Sequence, residues 1–114
     1  MSVGNNISNK PRVAEVTASA GNTFTKPLAV LAEFNTSISG TWTGTVTLQR
    51  SFNYIQVLAG KMAEGDETWL DVKTWTTNAE GIGEFSEPEA DVYYRLGFKT
   101  GGYTSGTAFL RFSY

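Results

Sequence analysis

The chain has 114 residues, 40% of them hydrophobic, a net charge of −2, and neither cysteine nor histidine. That length holds one domain with room for a core. Disulfides, thiolate nucleophiles, Ser-His-Asp and Cys-His catalysis and most zinc sites are excluded. Nine of the eleven acidic residues fall between Glu64 and Asp91, while Lys26, Arg50, Lys73, Arg95, Lys99 and Arg111 are scattered singly. A nucleic-acid binder would cluster its cations on one face.

Residues 1–12 are polar, with Gly4, Asn5, Asn6, Asn9 and Pro11. They lack the apolar core of a secretory signal, and no apolar run in the chain approaches the ~18 residues of a membrane span. Synthesis in the cytoplasm is expected. The first twelve residues read either as a solvated tail or as an arm lying on a neighbouring subunit, where Lys10 and Arg12 would meet an acidic surface.

Strands begin at residue 13. Residues 13–20 alternate, and Gly21-Asn22 signals a turn. Residues 28–34 are almost continuously apolar. They are compatible with about two turns of helix, but the surrounding pattern favours a strand. Residues 35–40 read as a turn or short strand. In residues 41–52, Trp42, Gly44, Val46, Leu48, Arg50 and Phe52 share one face, and Thr43, Thr45, Thr47, Gln49 and Ser51 share the other.

The pattern breaks at residues 53–67, where 54–59 is expected to be a short strand before a turn. Residues 68–77 alternate again, with Leu70, Val72, Thr74 and Thr76 opposite Trp69, Asp71, Lys73 and Trp75. Residues 78–90 read as an acidic Gly/Pro loop, 91–99 as a strand, 100–103 as a turn and 107–114 as the last strand. Val46, Leu48, Val72, Tyr94, Leu96 and Phe98 are the expected core. About seven or eight strands at short spacing predict a single antiparallel β-sandwich over residues 13–114, immunoglobulin-like in a loose sense. Asp91-Val92-Tyr93-Tyr94 is similar to a tyrosine corner, and Ser39-Gly40-Thr41 and Ser105-Gly106-Thr107 echo each other as strand starts.

No constellation of residues announces chemistry. Glu64, Asp66 and Glu67 lack the spacing of a calcium loop and read as a solvated turn. Glu80, Glu84, Glu87, Glu89 and Asp91 could contain a glycosidase pair but read better as a solvated loop. Trp42, Trp69 and Trp75 could stack on a sugar, although strand aromatics more often pack in a core or across strands. The apolar residues Tyr54, Ile55, Leu58 and Met62 must fold back on the domain or pack on another chain. With Lys10, Arg12, Trp69 and Trp75 they form the candidate interface.

Four stretches together resemble a family of small phage and prophage structural proteins. They are Ser39-Gly40-Thr41-Trp42-Thr43-Gly44-Thr45-Val46-Thr47-Leu48-Gln49-Arg50-Ser51-Phe52, Thr68-Trp69-Leu70-Asp71-Val72, Tyr94-Arg95-Leu96 and Thr104-Ser105-Gly106-Thr107. In that family a strand ending Gln-Arg-Ser-Phe leads through a short Asp/Asn-Gly turn to Thr-Trp, then to a late Tyr-Arg strand and a closing Ser-Gly-Thr strand. Residues 53–67 depart from this, being longer and more apolar than the turn. The resemblance implies a virion structural protein without fixing its place; capsid decoration is the first placement expected here, and the neck, tail or fibre region the next. It would be a homo-oligomer or the partner of other virion proteins, with no enzymatic activity, cofactor, metal, nucleic-acid or membrane partner. The alternative is a carbohydrate-binding β-sandwich module that recognises a host glycan.

Overall fold

A computed structural model describes residues 12–114. Its elements are β1 (Val13–Ala18), β2 (Thr23–Phe24), β3 (Leu28–Ala29), β4 (Ala32–Ser51), α1 (Tyr54–Leu58), β5 (Leu70–Trp75), β6 (Ala79–Glu87) and β7 (Tyr93–Ser113). The all-β expectation holds. Among the described residues the seven strands are hydrogen-bonded into one antiparallel sheet rather than two.

The sheet is built on a ribbon of its two longest strands. β4 (20 residues) and β7 (21 residues) pair along nearly their whole length, from Asn35↔Ser113 to Ser51↔Tyr93. β5 and β6 add to the free side of β4. β1, β2 and β3 add to the free side of β7. A straight strand of that length would span about 65 Å at ~3.3 Å per residue, yet the longest dimension of the molecule is 44 Å. The ribbon is therefore folded. Phe34, near the start of β4, lies 4.7 Å from Tyr94, whose strand partner is Arg50 near the end of β4. Two arms result, with their inner faces sharing one core.

The bend explains the echo of Ser-Gly-Thr. These segments are strand middles, not strand starts, and they meet at Thr41↔Thr107, with Gly40↔Ala108 and Trp42↔Gly106 on either side. Gly40 has φ +101° and Gly106 φ +88°, and a Cβ there would come within 2.4 Å of the Thr107 carbonyl oxygen and 2.2 Å of that of Thr41. Only glycine fits such a crossing without strain. Just beyond it, β7 bulges at residues 99–102 opposite Thr45, between the pairs Gly44↔Tyr103 and Val46↔Phe98. The expected turn at 100–103 is thus an interruption within one strand, of the kind that bends a sheet.

Alternation along β4 runs unbroken through the bend. Even-numbered residues face inward, with Phe34, Thr36, Ile38, Val46 and Leu48 buried. Residues 35–40 are strand and not turn. The core is completed by Leu28, Val30, Tyr94, Leu96, Phe98, Leu110 and Phe112.

Several expectations are overturned. Val72 is not core: it is 41% exposed, and Trp75 is buried instead. The register explains the exchange. Leu48 pairs with Lys73 and Gln49 with Asp71, so Val72 is an extra, bulged residue. The bulge rotates the strand by one position, so Trp69 and Trp75 point to opposite faces although six residues apart. Residues 78–90 are not simply a loop. Most of them form β6, because Phe85 stacks on Phe34 at 5.6 Å and ties the segment to the core. Residues 54–58 form a short helix rather than a strand. Ser51 Oγ accepts the Tyr54 N–H at 3.0 Å, the Ala59 N–H reaches the Ile55 carbonyl, and Gly60 follows at φ +75°. These contacts open and close a single turn.

Candidate functional site

Residues of the four resembling stretches meet in space, and the sheet sorts them to two sides. On the core side Arg50 reaches Glu87, with Nε donating to Oε1 at 2.6 Å and Nη2 to Oε2 at 3.0 Å. Tyr94 Oη donates to Glu87 Oε1 at 2.8 Å, and the Glu89 N–H to Oε2 at 3.1 Å. Glu87 is 1% exposed, so the expected solvated glutamate is a buried anion with all its bonds made. Hydrogen bonding from Arg50 holds its carboxyl below the usual range. Burial, then the bond to Glu87, pushes the Tyr94 phenol up to about 12. Tyr94 thus closes onto a side chain, whereas a tyrosine corner closes onto backbone.

On the outer side of the same arm the odd-numbered residues of β4 and β7 carry a second cluster. Arg95 Nε donates to Gln49 Oε1 at 2.8 Å, Gln49 Nε2 to Asp71 Oδ1 at 2.9 Å, and Lys99 Nζ to Asp71 Oδ2 at 2.7 Å. The Arg95 guanidinium lies between two rings, 4.0 Å from the centroid of Phe24 and 4.3 Å from that of Trp69. Tyr54 packs on Trp69 at 5.6 Å and on Tyr93 at 5.2 Å. Trp69 Nε1 donates to Glu67 Oε2 at 3.0 Å. The cluster covers Thr47, Gln49 and Ser51, which are buried even though they point away from the core. Gly97 makes room for it. A Cβ there would lie 2.1 Å from the Thr23 carbonyl oxygen, so β2, which carries Phe24, could not approach. The Gln49–Asp71 and Lys99 bonds hold the Asp71 carboxyl below its ordinary range, and desolvation pulls Arg95 below that of a free guanidinium.

Among the described residues the other arm has no such cover. Its outer face carries Ser37, Ser39, Thr41 and Thr43 of β4 beside Arg111, Phe109, Thr107 and Ser105 of β7. Phe109 is 51% exposed in the middle of this bed. Two shallow depressions flank Arg111. One, of about 380 Å³, is lined by Glu15, Ser37, Ser39 and Phe109; the other, of about 290 Å³, by Asn35, Glu80, Ile82 and Ser113. Ile82 is 87% exposed because β6 bulges at residues 82–84 opposite Asn35, whose Oδ1 accepts the Gly83 N–H at 2.7 Å. Arg111 lies loosely by Glu15, at 3.9 Å.

The residues expected at an interface are dispersed. Lys10 lies outside the described residues, and Arg12 is exposed with its guanidinium 5.5 Å from the Tyr114 ring centroid. Trp75 is core and offers no surface. Tyr54 and Trp69 belong to the aromatic cluster. Ile55 and Met62 are half-buried, and Leu58 is exposed. Residues 53–67 therefore fold back in part: Asn53 Oδ1 accepts the Thr68 N–H at 2.9 Å and closes the base of the excursion. The sequence reading missed the exposed outer face around Phe109. Its only signal was the run of Ser and Thr at odd positions of β4 with the single Phe109 in β7. No protein-family model, curated protein or solved structure matches the chain.

Proposed function

We propose that this chain is a structural subunit of a bacteriophage virion, placed first as a capsid decoration and next at the neck, tail or fibre. It works by packing against copies of itself or other virion proteins, and not by chemistry. Two observations support this reading. The residues that carry the resemblance are ties of the scaffold. Gln49, Trp69, Asp71 and Arg95 bind one another on one side of the sheet, Arg50 and Tyr94 share Glu87 on the other, and the Ser-Gly-Thr segments form the bend. A pattern of this kind specifies a rigid body whose work is done by its surfaces.

The single observation that carries the reading is the uncovered face of one arm. Phe109 and Ile82 stand on a bed of short Ser and Thr side chains, while the equivalent face of the other arm is sealed from within the chain. Phe109 and Ile82 are the exposed apolar groups of this face that another subunit would take out of water. The glycan-binding alternative needs a shallow groove with an exposed coplanar Trp or Tyr. Trp75 is buried, Trp42 is held by Asn78 Oδ1 at 2.7 Å and by Phe98, and Trp69 is stacked on Arg95.

The test is peptide mass spectrometry of density-purified particles made with the gene present. The chain should co-purify in many copies per particle, and Phe109→Asp with Ile82→Asp should fold yet fail to incorporate. Recovery of the chain only from the soluble fraction would overturn the reading.

A further inference from the structure

We propose that Arg95 is a preorganised receptor for a carboxylate supplied by a partner polypeptide. Its guanidinium is clamped between Phe24 and Trp69 and is fixed along its Nε edge by Gln49 Oε1. Gln49 is in turn held by Asp71, and Asp71 by Lys99. This chain of bonds leaves the two terminal nitrogens. Among the described residues neither has a hydrogen-bond partner, and no carboxylate lies within ion-pair distance of Arg95. Glu67 acts on the arginine across space, but its oxygens are taken by Trp69 Nε1 and the Gly65 N–H.

The other arginines of the sheet differ. Arg50 gives its Nε and Nη2 to Glu87, and Arg111 has Ser113 Oγ at 3.4 Å from Nη1 and Glu15 at 3.9 Å from Nε. A guanidinium whose plane is already immobilised loses little freedom when its end-on fork is filled, and coplanar oxygens fit that fork in a bidentate manner. Asp71 and Glu67 already balance Arg95 and Lys99, so the local field favours a singly charged carboxylate over a phosphate dianion. A side chain needing two hydrogen-bonding partners and only one charge is an aspartate, a glutamate or a chain terminus.

The experiment uses the isolated chain labelled with nitrogen-15, so its failure is distinguishable from absence of the chain in particles. Sodium acetate replaces sodium chloride at constant ionic strength, and inorganic phosphate is titrated in parallel. The Arg95 Nε–H and Trp69 indole N–H signals should shift saturably with acetate, half-saturating in roughly the tens of millimolar, and should respond less to phosphate. Arg95→Lys keeps the charge but removes the fork, and should abolish the Trp69 response. Phe24→Leu keeps Arg95 but removes one ring of the clamp, and should raise the half-saturating concentration about threefold. No shift beyond the chloride control, an unchanged Trp69 response in Arg95→Lys, or a stronger response to phosphate would each overturn the proposal.

Discussion

The two arms of the β4–β7 ribbon are made by the same pair of strands, yet they treat their outer faces in opposite ways. In one arm Thr47, Gln49 and Ser51 are buried beneath Phe24, Arg95, Trp69 and Tyr54. In the other, Ser39, Thr41 and Thr43 are exposed. Inner faces are alike, with Phe34 and Ile38 of β4 buried in one arm and Val46 and Leu48 in the other. What differs is the connections. The chain that leaves β4 turns through α1 and returns as β5 with Trp69 over the sheet, and β2 brings Phe24 from the opposite edge. The second arm is flanked by β1 and β6, which extend the sheet sideways and lay nothing across it. One arm carries a cover of its own side chains, and the other, among the described residues, carries none.

The largest effect should come from the core-side lock. Arg50→Met leaves the Glu87 carboxylate buried and unpaired, and should cost about 3–5 kcal/mol of unfolding free energy by urea titration. Arg95→Met, on the outer side of the same arm, should cost less, about 1–3 kcal/mol, because it leaves the buried Gln49 Oε1 without its donor but strands no buried charge. Equal losses would mean that the two sides of this arm do not differ as described.

Leu96→Ala should cost about 2–5 kcal/mol, and Val72→Ala should stay within about 0.5 kcal/mol. A large loss at Val72 would place it in the core and remove the bulge that separates Trp69 from Trp75.

Gly97→Ala is aimed at the cover itself. A methyl 2.1 Å from the Thr23 carbonyl oxygen must displace β2, at about 1–3 kcal/mol. It should also loosen the Phe24–Arg95–Trp69 stack, read as a change in Trp69 indole N–H chemical shift. A stack unaltered by this change would show that β2 is not what positions Phe24.

The lock also sets the pH limits. The Glu87 pKa is lowered from an ordinary value of 4.5, so its contribution is present above pH 4.5 and is lost as pH falls from there through the folded value. Tyr94 is raised from 10.0 to about 12, so its contribution is present below pH 10 and is lost as pH rises between those values. Melting temperature against pH should show both limbs. Glu87→Gln should remove its share of the acid limb and leave that of Asp71 and Glu67, and Tyr94→Phe its share of the alkaline limb and leave that of Tyr93.

The smallest effect on stability belongs to the bare arm. Phe109→Asp should change unfolding free energy by no more than about 0.5 kcal/mol, because Phe109 is exposed and points away from the core. A substantial loss would mean that this face is covered by the chain itself, and the contrast between the arms would fall.

Strand content, the antiparallel class and the inner face of β4 and β7 were legible from residue order, because period-two alternation of Val, Leu, Phe and Tyr is a local signal set by the pleat. Five of the six expected core residues, Val46, Leu48, Tyr94, Leu96 and Phe98, followed from it. What only the tertiary structure decided lies where local signals are cancelled by partners. A bulge at Val72 exchanged the faces of β5, and nothing in residues 68–77 marks it, since a bulge is defined by register against β4. The acidic segment 78–90 became a strand because Phe34 and Arg50, distant in sequence, bind Phe85 and Glu87. The Ser-Gly-Thr segments read as strand starts because glycine usually ends a strand, whereas here two positive-φ glycines, opposite Ala108 and Trp42, sit in the middle of a folded ribbon. The Arg95 clamp is assembled from four separate stretches, which carry Phe24, Gln49, Trp69 with Asp71, and Arg95 with Lys99. Each of these residues alone is an ordinary strand residue, and only the folded sheet brings their side chains to one place.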